Sequence, residues 1–157
     1  MKIRTLAFSA SVAALAGLGA VAYAQTKPVS ARPSAIVYKT STCGCCSLWV
    51  DHLKANGFQV EIKDVSADAV RAVSKAAGLK DEGASCHTAK IGNYVVEGHV
   101  PASDIQKMLK EKPAIAGIAA PGMPMGSPGM EQGSAKEAYD VIAFTKDGKT
   151  SVFAKHK

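Results

Sequence analysis

The sequence predicts an α/β protein in which one mixed β-sheet is flanked by helices. Three observations support this fold class. Strand patterns at 35–39 and 58–62 enclose a helix pattern at 47–56, which is the order of a parallel β-α-β unit. A hairpin pattern around 92–93 then stands between two further helix patterns. A second hairpin pattern, at 139–154, ends the chain and adds strands to the sheet.

Residues 1–24 have the composition of a signal peptide. Lys2 and Arg4 precede an apolar, alanine-rich run, and an Ala-x-Ala pattern at 22–24 offers the small residues that signal peptidase recognises. We therefore expect cleavage before Gln25, export to the periplasm, and no stable membrane insertion after cleavage. An uncleaved N-terminal anchor is the alternative.

Residues 25–34 include two prolines among small polar residues and predict an extended lead-in. The remaining residues, 35–157, have a size that suits a single domain with one core. The formal net charge is +6, but the basic residues are scattered and are not interleaved with aromatic residues. Because no nucleic-acid motif accompanies the export signal, we exclude nucleic acid as a partner.

The first β-α-β unit begins with a strand at 35–39, whose residues are largely β-branched, aromatic or small. The helix that follows carries four apolar residues on broadly one side, Leu48, Trp49, Val50 and Leu53. It ends near Asn56, where Gly57 can adopt the left-handed conformation of a helix cap. The alternating pattern at 58–62 predicts the second strand.

Two more helices and a hairpin follow in the pattern. Ser66 is the predicted N-cap of the second helix, and Gly78 lies beyond its end. The buried face of this helix is predicted to comprise five residues, Ala69, Val70, Val73, Ala76 and Ala77. A Gly-Asn pair at 92–93 predicts a tight hairpin turn. Pro101 opens the third helix and Pro113 ends it.

Residues 116–134 are rich in glycine, proline and methionine and show no periodicity, so they predict a long loop. A disordered linker is the alternative. The strand patterns at 139–144 and 150–154, separated by a Lys-Asp-Gly-Lys turn, predict a C-terminal β-hairpin after the loop. Because the chain returns to a sheet, we expect the loop to be held against the domain.

The order strand-helix-strand-helix-hairpin-helix is that of a single thioredoxin-like domain, in which a Cys-x-x-Cys turn begins the first helix. This is an analogy of architecture and does not establish function. In that architecture, the loop that enters the strand after the second helix lies against the cysteine turn. Residues 85–88 occupy this place here, so Cys86 is expected to approach the turn. The side chain of His87 could face either way.

The cysteines are the candidate metal ligands. Cys43, Cys45 and Cys46 crowd into the turn before the first helix, and Cys86 is expected to join them. Cys43 and Cys46 have the spacing of a dithiol redox site at a helix N-terminus. The additional thiol, Cys45, makes a cluster of soft ligands that suits Cu(I) or zinc. A purely structural disulfide scaffold is disfavoured, because a bond between the adjacent cysteines would be strained.

Histidines and methionines form a second group of candidates, at the rim or in a lid of the site. His87 follows Cys86 directly, and His99 is assigned either to capping the third helix or to the rim of the metal site. Met123, Met125 and Met130 carry soft thioethers but also suit packing over apolar surface, so we favour a packing or lid role for each. Two further histidines are predicted to be ordinary surface residues, His52 and His156.

Four motifs carry a resemblance to a known family, at residues 43–46, 85–88, 98–101 and 121–131. Their order and sequence resemble those of the CopG-like family of exported bacterial proteins, over nearly all of the chain after the signal peptide. The resemblance implies a thioredoxin-like domain that binds copper in a cysteine-bridged cluster and takes part in copper resistance. The cluster cysteines of the family correspond to four residues here, Cys43, Cys45, Cys46 and Cys86. The residues alone indicate an exported soft-metal site, whereas copper follows from the resemblance.

Two hypotheses about function follow. The first is an exported protein that holds Cu(I) for copper resistance or homeostasis, with copper ions and other exported copper-handling proteins as its partners. The second is a thiol-disulfide oxidoreductase that uses Cys43 and Cys46. Against the second, Cys86 stands where thioredoxin-type enzymes keep a cis-proline. We therefore favour a metal-binding protein over an enzyme, although copper or thiol redox activity is compatible with the sequence.

Overall fold

The structure is a computed structural model that describes residues 32–157. The predicted signal peptide and most of the predicted lead-in lie outside the described residues. Within 32–157, no helix combines the length and the apolar character that a membrane span requires.

The described residues form seven strands and three α-helices. The strands are β1 (Ser34–Lys39), β2 (Gln59–Asp64), β3 (His87–Ile91), β4 (Tyr94–Glu97), β5 (Gly117–Ala119), β6 (Tyr139–Phe144) and β7 (Thr150–His156). The helices are α1 (Gly44–Ala55), α2 (Ala67–Ala76) and α3 (Ala102–Glu111). All seven strands belong to one sheet, in the order β2-β1-β3-β4-β5-β6-β7.

The strand directions confirm the α/β class and the mixed sheet. Strands β1 and β2 are parallel, as the β-α-β pattern predicts, and β3 runs antiparallel to β1. The hairpin between β3 and β4 turns at Gly92, whose φ of 58° lies in the left-handed region that glycine tolerates. Strands β6 and β7 form the predicted C-terminal hairpin. The elements follow one another in the order that the sequence predicts. The expectation of a thioredoxin-like domain rests on that order.

Strand β5 lies within the segment that the sequence predicts as a loop. It pairs in parallel with β4 and antiparallel with β6, and thereby joins the C-terminal hairpin to the rest of the sheet. Gly117 allows this pairing, because a Cβ atom there would lie 1.8 Å from the carbonyl oxygen of Val95. Three residues are too few to show a period, and so the sequence pattern does not reveal the strand.

The core lies between the sheet and the helices, and Trp49 of α1 is its largest fully buried side chain. The indole Nε1 of Trp49 donates a hydrogen bond to the carbonyl oxygen of Val100, at 2.8 Å. Leu48 was predicted on the same side of α1, but 58% of it is exposed. The buried face of α1 instead follows an i, i+3, i+4, i+7 spacing from Cys46 to Leu53, which leaves Leu48 on the solvent side.

Helix α2 is capped as predicted, because the hydroxyl oxygen of Ser66 accepts a hydrogen bond from the backbone N–H of Ala69. Its buried face is narrower than the predicted one. Val70 and Ser74 are the buried residues of the helix, whereas Ala76 is exposed. The apolar pattern misses Ser74 because a serine can be buried when its hydroxyl is paired, here with the carbonyl oxygen of Arg71.

The two histidines predicted at the surface both bind other elements. The Nε2 atom of His52 accepts a hydrogen bond from the backbone N–H of Ala102, at 3.0 Å, and so serves the first turn of α3. The Nε2 atom of His156 donates to a carboxylate oxygen of Asp104 at 2.7 Å. The ring of His156 also stacks on that of Tyr139. Sequence spacing does not show the two hydrogen bonds, because each joins residues about fifty positions apart.

We expect His52 to make the stability of the protein sensitive to acid. Burial lowers the pKa of His52 from its ordinary value, and the charge of Glu131 opposes this shift. The neutral ring is also the form that accepts the bond from Ala102. The unfolded chain then binds the proton more readily, and stability is lost as the pH falls below about 6.5. The variant His52→Gln removes this titration and retains an acceptor oxygen.

Urea unfolding at about pH 7.5 and about pH 5 tests this expectation. The unfolding free energy of the parent protein should fall more between the two pH values than that of His52→Gln. Equal losses in the two proteins would contradict the role given to His52.

Candidate metal centre

The turn between β1 and α1 holds three cysteines at a helix N-terminus. Cys43 is the N-cap residue of α1, and its backbone N–H donates to the carbonyl oxygen of Thr40 at 3.1 Å. Cys45 and Cys46 lie in the first turn of the helix. The unpaired N–H groups and the dipole of a helix N-terminus favour thiolate over thiol, so this turn suits both metal binding and redox chemistry.

Cys43 and Cys46 are joined in a disulfide bond, with their Cα atoms 5.4 Å apart. Cys45 and Cys86 are free thiols and are half-buried. The described state is therefore the oxidised state of the Cys-x-x-Cys pair. Two of the four predicted ligands become thiolates only after this bond has accepted two electrons.

Cys86 reaches the turn, as the order of elements predicts. Its Sγ atom lies 3.4 Å from Sγ of Cys46 and 4.0 Å from Sγ of Cys45, and the Sγ atoms of Cys43 and Cys45 are 3.6 Å apart. A tetrahedral site with metal–sulfur bonds of about 2.3 Å has sulfur–sulfur edges of about 3.8 Å. These three separations already suit a shared cation, all four sulfur atoms lie within 4.8 Å of one another, and the disulfide edge must lengthen.

A buried carboxyl group holds the segment that carries Cys86. Glu97, at the end of β4, accepts a hydrogen bond from the backbone N–H of Ser85 at 2.8 Å, and its other oxygen accepts one from the hydroxyl of Thr88. The guanidinium of Arg71 lies 3.6 Å away. Burial raises the pKa of Glu97, and the hydrogen bonds from Thr88 and Ser85 oppose that rise. Glu97 is not among the site residues predicted from the sequence, although a charged residue at the end of an apolar strand is a signal for such a role.

His99 contacts Cys86 and does not cap α3, so the capping alternative is wrong. Its Nε2 atom lies 3.2 Å from Sγ of Cys86, and its Nδ1 atom lies 2.9 Å from the carbonyl oxygen of Pro128. The side chain is fully buried, and burial lowers its pKa. His99 is therefore a neutral imidazole beside the cysteine site.

The side chain of His87, whose direction the sequence leaves open, faces inward and is fully buried. Its Nδ1 atom lies 3.4 Å from Sγ of Cys86, and its ring packs against that of Trp49, with the ring centroids 4.4 Å apart. The edge of the His99 ring approaches it at a centroid distance of 4.9 Å. Burial lowers the pKa of His87 to about 3, so this ring too is neutral at physiological pH.

Burial, and secondarily the neighbouring Cys45, raise the pKa of the Cys86 thiol to about 12. In the absence of a cation, Cys86 therefore remains protonated at neutral pH. A soft cation would displace this proton on binding, because cysteine binds metals as the thiolate.

The long loop folds back over the cysteine turn, as expected. At Gly129, where φ is 85°, an added Cβ atom would lie 2.8 Å from the carbonyl oxygen of Cys45. The backbone therefore packs directly on the turn. Two of the three loop methionines are partly exposed to solvent, since Met123 is 54% exposed and Met125 is 36% exposed. Met130 is half-buried, and a ligand role for the three methionines stays a prediction.

A cavity of about 270 Å³ opens between the cysteine turn and α2. Cys43, Cys86 and Arg71 are among the residues that line it. Larger hollows lie elsewhere on the surface and contain no cysteine. Two of the four cysteines, Cys43 and Cys86, are therefore accessible from this side of the molecule.

Comparisons with known proteins agree on one family. Residues 83–130 match the model of a family whose description is "Protein of unknown function, DUF411". These residues include Cys86, His87, His99 and most of the loop. No curated protein matches the chain.

Two solved structures match it, and their titles describe a copper resistance protein copG in Form 1 and in Form 2. Form 1 is 43% identical, with a TM-score of 0.73, over 80% of this chain and 98% of the matched one. Form 2 is 45% identical, with a TM-score of 0.73, over 80% of this chain and 99% of the matched one. At this identity and coverage, the chain belongs to the CopG-like family.

Proposed function

We propose that this protein is an exported, periplasmic protein that holds Cu(I) in a cysteine-bridged cluster and serves copper resistance or homeostasis. The observation that carries the proposal is the approach of Cys86 to the turn at 43–46, with sulfur–sulfur separations of 3.4–4.0 Å. The name of the two similar solved structures supports copper as the metal. The signal-peptide pattern supports export.

The chemistry of the ligands favours Cu(I) over harder cations. The four sulfur atoms are soft donors, and all lie within 4.8 Å of one another. Three come from one helix turn and one from a distant loop, a crowded arrangement that suits sulfur atoms shared between metal ions. Because Cys43 and Cys46 form a disulfide, loading with Cu(I) requires that a thiol reductant first supply two electrons and two protons.

The disulfide at the helix N-terminus favours the second hypothesis, a thiol-disulfide oxidoreductase. Cys86 argues against it. Once Cys86 loses its proton to solvent, its sulfur could attack Sγ of Cys46, 3.4 Å away, form a Cys46–Cys86 disulfide and release the thiolate of Cys43. Such an internal exchange competes with the transfer of the disulfide to a substrate. Copper binding by all four cysteines is therefore the preferred function.

Replacement of Cys45 distinguishes the two functions, because only the copper cluster requires its sulfur. A copper cluster needs every sulfur, so Cys45→Ser should lower the copper-to-protein ratio about as much as Cys43→Ser or Cys46→Ser does. We expect copper affinity to fall by more than about tenfold, the smallest loss usually caused by removing even an outer-shell contact. The measurement is copper stoichiometry and competition with a Cu(I) chelator, after reduction and under anaerobic conditions.

Leu48→Ala is the matched control, since Leu48 lies on the exposed side of the same helix. It should leave copper binding unchanged. A Cys45→Ser protein with a full copper load, or one that reduces disulfides as well as the parent does, would favour the oxidoreductase.

The loop methionines are tested by replacing Met123, Met125 and Met130 together with leucine. If their thioethers shield or bind the copper, the variant should lose copper to a chelator faster, or its copper should oxidise faster. The change in unfolding free energy should stay below about 1.5 kcal/mol, because leucine and methionine have similar volumes. Unchanged copper retention together with unchanged stability would mean that these side chains only pack.

A further inference from the structure

Cys86 belongs to two ligand groups in this structure. One is the group of four cysteines. The other consists of Cys86, His87 and His99, whose ligand atoms also lie within 4.8 Å of one another. The second group uses no atom of the disulfide between Cys43 and Cys46. It is therefore complete in the oxidised state, in which the four-cysteine group is not.

The separations in the second group suit a single cation. A tetrahedral site with a metal–sulfur bond of about 2.3 Å and metal–nitrogen bonds of about 2.0–2.1 Å has sulfur–nitrogen edges of about 3.6 Å. Sγ of Cys86 lies 3.2 Å from Nε2 of His99 and 3.4 Å from Nδ1 of His87. Shifts of a few tenths of an ångström would therefore bring both sulfur–nitrogen separations to this value, and a water molecule would take the fourth position.

The long loop prepares His99 for this role. A carbonyl oxygen can only accept a hydrogen bond, so the contact with Pro128 places the imidazole proton on Nδ1 of His99. The lone pair on Nε2 is then free and directed towards Cys86. A backbone carbonyl that fixes the ring and its tautomer in this way is the usual second partner of a metal-binding histidine.

His87 is free to present either tautomer. Its Nε2 atom is buried and has no hydrogen-bond partner among the described residues, so no such contact fixes its proton. The nitrogen nearer to Cys86 is Nδ1. With the proton on Nε2, the ring offers the Nδ1 lone pair to a cation, and both histidines then act as neutral ligands.

We propose that, in the disulfide form, Cys86, His87 and His99 bind one divalent cation of the zinc and cobalt class. One thiolate and two imidazoles make a donor set of intermediate softness, which suits such ions but lacks the several bridging sulfur atoms that a Cu(I) cluster needs. The two sites share Cys86 and so exclude each other. The thiol–disulfide state of Cys43 and Cys46 selects between them, by the exchange of two electrons and two protons with a thiol or disulfide reagent.

This proposal shares Cys86 with the proposed copper site but does not depend on copper. The test uses Co(II) as the probe, added to the full oxidised chain without reductant. The expected result is one Co(II) per chain, with thiolate-to-metal charge-transfer absorption and the intense visible bands of a tetrahedral ion. Added Zn(II) should displace the Co(II). Oxidised protein that binds no Co(II), or binds it without thiolate charge transfer, would overturn the proposal.

Variants identify the ligands. The double variant Cys43→Ser, Cys46→Ser lacks both the disulfide and the four-cysteine site, and it should still bind one Co(II). Adding His99→Ala or Cys86→Ser to that variant should abolish the charge-transfer band, with circular dichroism showing that each protein remains folded. Retention of the band without His99 or Cys86, or its loss in the double variant alone, would refute this ligand set.

Two glycine-to-alanine substitutions, compared with each other, test the contribution of the loop. Gly129→Ala would press on the backbone of Cys45 and Trp49 and displace the neighbouring carbonyl of Pro128. Gly122→Ala is the matched control, because Gly122 also has a positive φ but has no atom within 4 Å of an added Cβ. In the double cysteine variant, we expect Co(II) affinity to fall about 10–100-fold with Gly129→Ala. Equal affinities in the two alanine variants would show that Pro128 does not position His99.

The same set of proteins separates failure of this proposal from failure of the copper site. Cys45→Ser should retain the Co(II) band in its oxidised form and lose Cu(I) in its reduced form. Loss of the Co(II) band in this variant would overturn the three-residue assignment. Cu(I) stoichiometry of the reduced parent protein is measured independently and bears on the copper proposal alone.

Discussion

The candidate metal centre depends on one buried interaction, the clamp of Glu97 on the segment around Cys86. The carboxyl group accepts hydrogen bonds from the backbone N–H of Ser85 and from the hydroxyl of Thr88, which lie on either side of Cys86 and His87. Burial of a carboxyl group is costly unless its oxygen atoms are paired, and these two contacts, with Arg71 nearby, offset that cost for Glu97. The end of β4 thereby determines where the distant cysteine and its neighbouring histidine meet the turn.

Helix α1 organises the opposite side of the same centre. It carries three of the cysteines, and two of its other side chains bind the start of α3. The indole of Trp49 donates to the carbonyl oxygen of Val100, and the ring of His52 accepts from the backbone N–H of Ala102. Both contacts lie within three residues of His99. The helix that bears the sulfur atoms therefore also holds the segment that brings the imidazole of His99 to Cys86.

The long loop contributes through its backbone rather than through exposed thioethers. Close packing at Gly129 brings the carbonyl oxygen of Pro128 to His99, whereas the side chains of Met123 and Met125 remain partly exposed to solvent. This arrangement gives one cysteine, Cys86, two sets of neighbours with different chemistry, three sulfur atoms and two neutral imidazoles. Because soft and intermediate cations prefer different donors, the disulfide between Cys43 and Cys46 can decide which set is complete.

The sequence by itself determined the order of the elements and the cysteine turn, because periodicity, caps and turn residues are local signals. The approach of Cys86 could be predicted only because that order is the order of the thioredoxin-like architecture. It did not reveal β5, which is too short to have a period, nor the exposure of Leu48. Tertiary structure alone decided that His99 lies against Cys86 and that His52 binds α3. Those contacts join residues 13 and 50 positions apart, so they depend on how strands and helices pack and not on any pattern along the chain.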